Sequence, residues 1–247
     1  MRAEASERSE QVSQLLFGEA YQILEWGEKW VKVLTAHDGY EGWISRLQVV
    51  MLGHMEYQAL LETPAPITYR PVTQAWKVSD NSSLYLPATS KLVFLSGTTS
   101  KIKQESYAIV GDAALDYSNI AEAARSYLNT PYLWGGRTHF GIDCSGFSQA
   151  VYSMYGIQLL RDASQQATQG ASVDFVTEVQ TGDLAFFDNA EGRITHVGIL
   201  LNQSSIIHAS GKVKIDHFDS EGIYSDELNR YTHKLRIIKR YNGLAGI

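Results

Sequence analysis

The chain has 247 residues, of which 44% are apolar, and a formal net charge of −6. That apolar share argues against a disordered tail, and the acidic balance without any lysine or arginine run argues against nucleic acid or an anionic membrane as the main partner. No uncharged apolar stretch approaches the roughly 20 residues needed to span a bilayer. The opening segment MRAEASERSE alternates charges and lacks an apolar core, so no signal peptide is visible and a cytoplasmic protein is the simplest expectation. A chain trimmed of an export signal fits the same residues, and a single cysteine is silent on compartment.

In chain order, the first half reads as short strands. Val12–Phe17, Tyr21–Glu25, Trp30–Thr35 and Gly42–Ile44 are rich in branched and aromatic residues and are separated by turns such as His37-Asp38-Gly39. Spacing of this kind predicts a small β-barrel over 1–50. Met51–Glu62 is apolar and ambiguous. Beyond the connector Thr63-Pro64-Ala65-Pro66, a second small β unit is predicted from Ile67–Tyr69, Gln74–Val78, Ser83–Leu86, Leu92–Leu95 and Tyr107–Val110. The connector and this unit together occupy 51–114.

From Asp116 the texture changes, and 115–247 is read as one α+β domain. Ile120, Ala123, Ala124, Tyr127 and Leu128 follow helical spacing, with Ser118 or Asn119 as cap and Pro131 beyond the stop. Phe147, Val151 and Tyr155 mark one face of a second helix, entered through Asp143. A third begins near Ala163 and runs to Thr168, entered through Leu160-Arg161-Asp162. Strands follow at Leu184–Phe187, Ile194–Leu201, Ser205–Ala209 and Lys234–Arg240.

Cys144, the only cysteine, falls in the first turn of the second helix. The positive end of a helix dipole stabilises a thiolate, the nucleophilic form. Ordinary packing of a small side chain is the competing reading. A thiol nucleophile needs a base. Of the seven histidines, His37, His54, His139, His217 and His233 lie in loop-like or ambiguous surroundings, whereas His196 and His208 each sit in an apolar strand. With Asn202-Gln203-Ser204 as the turn and Leu201 opposite Ser205, Gly198 faces His208, and the two imidazoles share a face within reach of one another. Such a pair fits a metal site, a pair of satisfied core histidines, or a Cys–His–His arrangement. Zinc would ask for further ligands at short spacing, so no metal and no cofactor are expected. In the third reading Cys144 attacks, His196 takes its proton and returns it to the leaving amine, and His208 orients His196.

Four motifs, Pro131-Tyr132-Leu133-Trp134-Gly135-Gly136, Asp143-Cys144-Ser145-Gly146, Thr195-His196-Val197-Gly198-Ile199 and Ile207-His208-Ala209-Ser210, resemble the NlpC/P60 family of papain-like cell-wall peptidases over about residues 116–241. Gly39-Tyr40-Glu41-Gly42-Trp43-Ile44 resembles the bacterial SH3 (SH3b) barrels that precede such domains, and the chain begins where a first SH3b strand should already be under way. The second barrel matches more loosely. Leu160-Arg161-Asp162-Ala163-Ser164-Gln165-Gln166 is similar to the γ-D-glutamyl-L-diamino acid endopeptidases of the dipeptidyl-peptidase VI type.

The resemblance implies a papain-like catalytic domain behind one or two SH3-like barrels. It implies cleavage after D-Glu in murein stem peptides with a free N-terminal L-Ala, in turnover or recycling, before meso-diaminopimelate or lysine. Asp162 would then hold the substrate ammonium, or cap the helix that follows it. Ser145 would offer a hydroxyl and an N–H to the D-Glu carboxylate. Arg161 would pair with a carboxylate or lie solvated on the surface. Tyr132 would help hold the oxyanion. Tyr40 would close the pocket over the amine, or serve the barrel core. Trp134 and Trp43 are expected in the core. The partner expected is a peptidoglycan-derived peptide, with a monomer as default. Competing functions are a hydrolase of intact peptidoglycan, a non-catalytic wall-binding SH3b protein, and an acyltransferase or amidase on the same scaffold.

Overall fold

A computed structural model describes residues 1–111 and 117–241. The chain divides into two compact units, Met1–Asp116 and Tyr117–Ile247. The boundary expected at 114/115 lies outside the described residues.

In the first unit, β1 (Tyr21–Trp26), β2 (Trp30–Thr35) and β3 (Glu41–Ser45) form an antiparallel sheet in that order. Val31 and Val33 alternate with the half-buried Trp30, Lys32 and Leu34, which turns one face inward, where the valines meet Ile44, Leu15 and Tyr21. Val12–Phe17 is not a strand, contrary to expectation. The Leu16 N–H is taken by the Glu19 carboxylate at 2.8 Å, a local bond that replaces strand pairing. The ambiguous segment resolves into helix α1 (His54–Glu62), where the Glu56 carboxylate accepts from the Gly53 N–H at 2.9 Å.

The second sheet holds β4 (Val72–Lys77), β5 (Ser82–Pro87), β6 (Thr99–Ile102) and β7 (Glu105–Ile109) in the order β5-β4-β7-β6. Leu92–Leu95 is not one of its strands. Phe94 adopts a φ of +49°, and the Leu92 N–H bonds to the Pro66 carbonyl, so this run supplies core side chains without pairing. Ile67–Tyr69 contributes a single bridge, from Ile67 to Lys91.

The second unit begins with α2 (Ile120–Arg125), capped by the Asn119 side chain, which accepts from the Glu122 N–H at 3.0 Å. A short hairpin of β8 (Arg137–Thr138) and β9 (Gly141–Ile142) leads into α3 (Cys144–Ser153), and α4 (Ala163–Gln166) follows. The remaining strands are β10 (Ala171–Val173), β11 (Leu184–Asp188), β12 (Ile194–Asn202), β13 (Ser205–Ser210), β14 (Lys212–Phe218), β15 (Gly222–Ser225) and β16 (Arg230–Arg240). Their order is β10-β16-β11-β12-β13-β14-β15, and β15 pairs back to β16. The first half of β16 pairs with β15 and its second half with β11, so β11 to β16 close on themselves. Phe187, Leu200, Ile206, Phe218, Ile223 and Ile238 fill the interior. Helix α3 lies against β12 and β13, its residues from Cys144 to Tyr152 buried. The nucleophile candidate and the histidine strands therefore meet by packing of the helix on the sheet.

Candidate active site

Cys144 is the first residue of α3, and Asp143 is its N-cap. One carboxylate oxygen of Asp143 accepts from the Gly146 N–H at 2.7 Å, and the other from the Gly135 N–H at 2.9 Å. Arg161, 1% exposed, reaches the same carboxylate through both terminal nitrogens and donates to the Ser145 hydroxyl at 2.8 Å. The entry of α3 is thus pinned by a fully buried ion pair. Gly146 allows this close approach, because a Cβ there would lie 2.3 Å from the Gly136 carbonyl oxygen.

The thiol is buried. Burial and then the Asp143 carboxylate push Cys144 up to about 12, against the lowering effects of the Val197 N–H, Arg161 and the Ser145 N–H. Loss of water here opposes the first-turn dipole on which the expected thiolate rests. Because only the thiolate alkylates quickly, the rate with iodoacetamide should climb about tenfold per pH unit from pH 6 to 9 without a plateau. A rate already flat at pH 6 would show an ionised thiol and refute this.

His196 lies on β12 and His208 on β13, both buried. The Ile199–Ile207 and Leu200–Ile206 pairs put the register as expected through the site, while a bulge at the hairpin pairs Asn202, not Leu201, with Ser205. His196 Nε2 lies 2.8 Å from His208 Nδ1, and His208 Nε2 lies 3.0 Å from the Asp216 carboxylate. Asp216 also meets Lys214 at 3.0 Å. The ring nitrogen of His196 outside this relay is Nδ1. Burial lowers the basicity of His196 strongly, and neighbouring His208 and His233 add to it. Burial thus disfavours the charged form of both rings and of the thiol.

Gly198 makes room for the pair. A Cβ there would sit 2.8 Å from His208 Cβ and 2.7 Å from the Ile206 side chain. Gly198→Ala should therefore displace His208 and lower kcat/KM by about 100-fold while the fold survives, read by steady-state kinetics beside circular dichroism.

Other expected residues fare variously. Ser145 stands beside Cys144, but its hydroxyl is engaged with Arg161 and, at 3.4 Å, with Asp143. Tyr132 is half-buried, and burial, followed by the neighbouring Cys144 and Asp143, raises its hydroxyl, which stays a proton donor. Asp162 is half-buried at the start of α4, where its N–H donates to Gln165 Oε1 at 3.0 Å. Arg161 is no surface residue. Tyr40 belongs to the first unit, between β2 and β3, where its N–H donates to Thr35 Oγ1 at 2.8 Å. Trp43 is half-buried in β3. Trp134 is 60% exposed and not core, because the turn closed by Gly136 N–H to Leu133 carbonyl turns it outward.

Three participants were not singled out from the sequence. Asp216 sits on β14, where alternation of charged and apolar residues from Lys212 to Asp216 marks a strand. His233, expected in a loop-like setting, lies on β16 with its ring stacked on His196 at 4.1 Å. Burial and then His208 lower it to about 4. Asp143, expected only as a cap, is also the partner of Arg161.

Comparison with known proteins adds independent findings. The NlpC/P60 family profile matches residues 129–232, and the profile of the bacterial dipeptidyl-peptidase Sh3 domain matches residues 1–48. The γ-D-glutamyl-L-lysine dipeptidyl-peptidase of Bacillus subtilis is 29% identical over 233 residues, covering 87% of this chain and 78% of that protein. The probable endopeptidase NlpC of Escherichia coli is 34% identical over 119 residues, covering 47% of this chain and 75% of that protein. The crystal structure of an NlpC/P60 family protein from Bacillus cereus shares the fold, with a TM-score of 0.76 at 23% identity, covering 93% of this chain and 82% of that one.

Proposed function

The chain belongs to the NlpC/P60 family, and from that premise we propose that it is a cysteine peptidase that cleaves the bond between γ-D-glutamate and the following diamino acid in short peptidoglycan stem peptides carrying a free N-terminal L-Ala. The products are L-Ala-γ-D-Glu and a peptide beginning with meso-diaminopimelate or L-Lys. The observation that carries the chemistry is the relay from His196 to His208 to Asp216 beside a helix-borne thiol. The substrate class is supported by the likeness to the Bacillus subtilis dipeptidyl-peptidase over most of the chain and by the site's charges.

In this reading Cys144 Sγ attacks the γ-carbonyl carbon as its proton passes to His196 Nδ1. A neutral thiol and a neutral imidazole at rest avoid holding two unsolvated charges, and the ion pair forms only as negative charge develops on the substrate oxygen. The protonated Tyr132 hydroxyl suits that oxygen as a donor. His208 holds His196 by its Nε2, and Asp216 fixes the tautomer of His208 in turn. Collapse expels the diamino acid amine with the proton from His196. Water, deprotonated by the same nitrogen, then cleaves the thioester and restores the thiol. Asp162 holds the substrate ammonium.

The experiment is incubation with L-Ala-γ-D-Glu-meso-diaminopimelate and mass spectrometry of the products. Release of L-Ala-γ-D-Glu is expected. Acetylation of the peptide N-terminus should abolish it, and Asp162→Asn should lower kcat/KM for the free amine by about 10–100-fold, the worth of one charge-assisted hydrogen bond. No dipeptide from the wild-type protein, or equal cleavage of the acetylated peptide, overturns the reading, the second outcome favouring intact wall as substrate.

A further inference from the structure

His233 has no part in the relay, yet it completes a cluster. His196, His208 and His233 each offer a ring nitrogen, and the three nitrogens lie within 4.8 Å of one another. Two of the rings are also oriented from behind. His208 has its Nε2 on the Asp216 carboxylate, which leaves Nδ1 facing the cluster. His233 has its Nδ1 2.9 Å from the Thr232 hydroxyl, whose own hydrogen goes to the Ile223 carbonyl. Thr232 therefore accepts, His233 carries its hydrogen on Nδ1, and its lone pair is on Nε2. A histidine whose far nitrogen is tied to a carboxylate or hydroxyl is arranged as metal-ligating histidines are. Phe187 packs beside His196 and His233 at ring distances of 5.8 and 5.9 Å and shields this side of the site.

The geometry points to a binding site for a divalent transition metal of the zinc class, built from His196, His208 and His233, whose occupation switches off the thiol chemistry. Neutral imidazoles select Zn2+ and its neighbours over Mg2+ or Ca2+, which take oxygen ligands. Three nitrogens bound at about 2.0–2.1 Å leave a fourth position open. The separations seen require the rings to close by small rotations, and the Nε2 to Nδ1 hydrogen bond must give way. Its proton moves to the other nitrogen of His196, so that Nε2 gives its lone pair to the metal while Nδ1 carries hydrogen. No net proton is gained or lost, but the nitrogen needed by the Cys144 proton is then occupied. Only this inhibitory consequence rests on the proposed roles of Cys144 and His196; the metal site stands without them.

The test separates the two. Zn2+ binding is measured by isothermal titration calorimetry on the full-length Cys144→Ala protein, whose thiol cannot contribute and whose activity is not read. One Zn2+ per chain is expected, with affinity falling more than about tenfold in the added His233→Phe variant, which keeps the ring stacking but loses the nitrogen. Co2+ in place of Zn2+ should give tetrahedral d–d bands without a thiolate charge-transfer band, in the wild-type protein as well. Absence of uptake by the Cys144→Ala protein, or equal affinity in a folded His233→Phe protein, overturns the proposal. So does a thiolate band in the wild type. A wild-type protein that binds Zn2+ at this site yet cleaves at full rate when loaded overturns the switch. A protein that binds the ion but cleaves nothing with or without it indicts the proposed reaction instead.

Discussion

Replacing Cys144 with alanine should lower kcat on the γ-D-glutamyl tripeptide by about 10^4-fold or more while leaving substrate affinity within a few-fold of wild type. The effect is large because in the proposed mechanism the thiol sulfur forms the covalent bond, and no other thiol exists in the chain. His196→Ala should fall nearly as far, and the double variant no further, since the two act as one unit. Single-turnover kinetics with product detection check this. Cleavage by Cys144→Ala within tenfold of wild type would remove the covalent mechanism altogether. Cys144→Ser is instructive beside it: an alcohol is harder to ionise than a thiol, and a base as weakened as His196 gives it little help.

The largest stability effect is expected at Arg161→Met. The guanidinium is 1% exposed and neutralises a carboxylate that is nearly as buried. Removing it leaves the Asp143 charge with the Gly135 and Gly146 N–H groups and the Ser145 hydroxyl, which supply hydrogen bonds but no countercharge. A buried ion pair broken on one side typically costs about 3–5 kcal/mol. Urea denaturation, following the second unit by near-ultraviolet circular dichroism, should show a loss in that range. Adding Asp143→Asn to Arg161→Met should recover part of it, because an amide needs no cation. A loss below about 1 kcal/mol would mean that the pair contributes little to the stability of the second unit. The same pair holds Cys144 in place, so the destabilised protein should also be slow.

The histidine register was legible through the turn at Asn202-Gln203-Ser204, which brings the two apolar strands together, whereas burial could not set it because both faces of β12 and β13 are buried. Ile199–Ile207 and Leu200–Ile206 keep the register that turn implies, and the bulge displaces only the Asn202–Ser205 end. The helix carrying Cys144 was equally readable, through Asp143 and the Phe147–Val151 face. What escaped depended on long-range closure. His233 lies in a stretch of polar and half-exposed residues, Arg230 to Lys234, and only the return of β16 to β15 and β11 gives it a neighbour. Arg161 looks like any surface arginine until the fold brings Asp143, 18 positions earlier, against it. The burial of the thiol escaped for a related reason: the dipole is a local property, but desolvation is supplied by residues distant in the chain.

The closed arrangement of β11 to β16 also bears on how a peptide can be recognised. β12 has neighbours on both sides, β11 and β13, and β13 has β12 and β14. Neither histidine strand offers a free edge, so an extended chain cannot lie down beside the catalytic groups as one more strand and be gripped through its main-chain amides. Under the proposed function, selection would instead read chemical ends: an ammonium, a carboxylate, the branch where a side chain carries the bond. A γ-linked D-residue, whose backbone has the wrong hand and spacing for strand pairing, forfeits nothing at such a site, while an ordinary polypeptide finds no ladder to join.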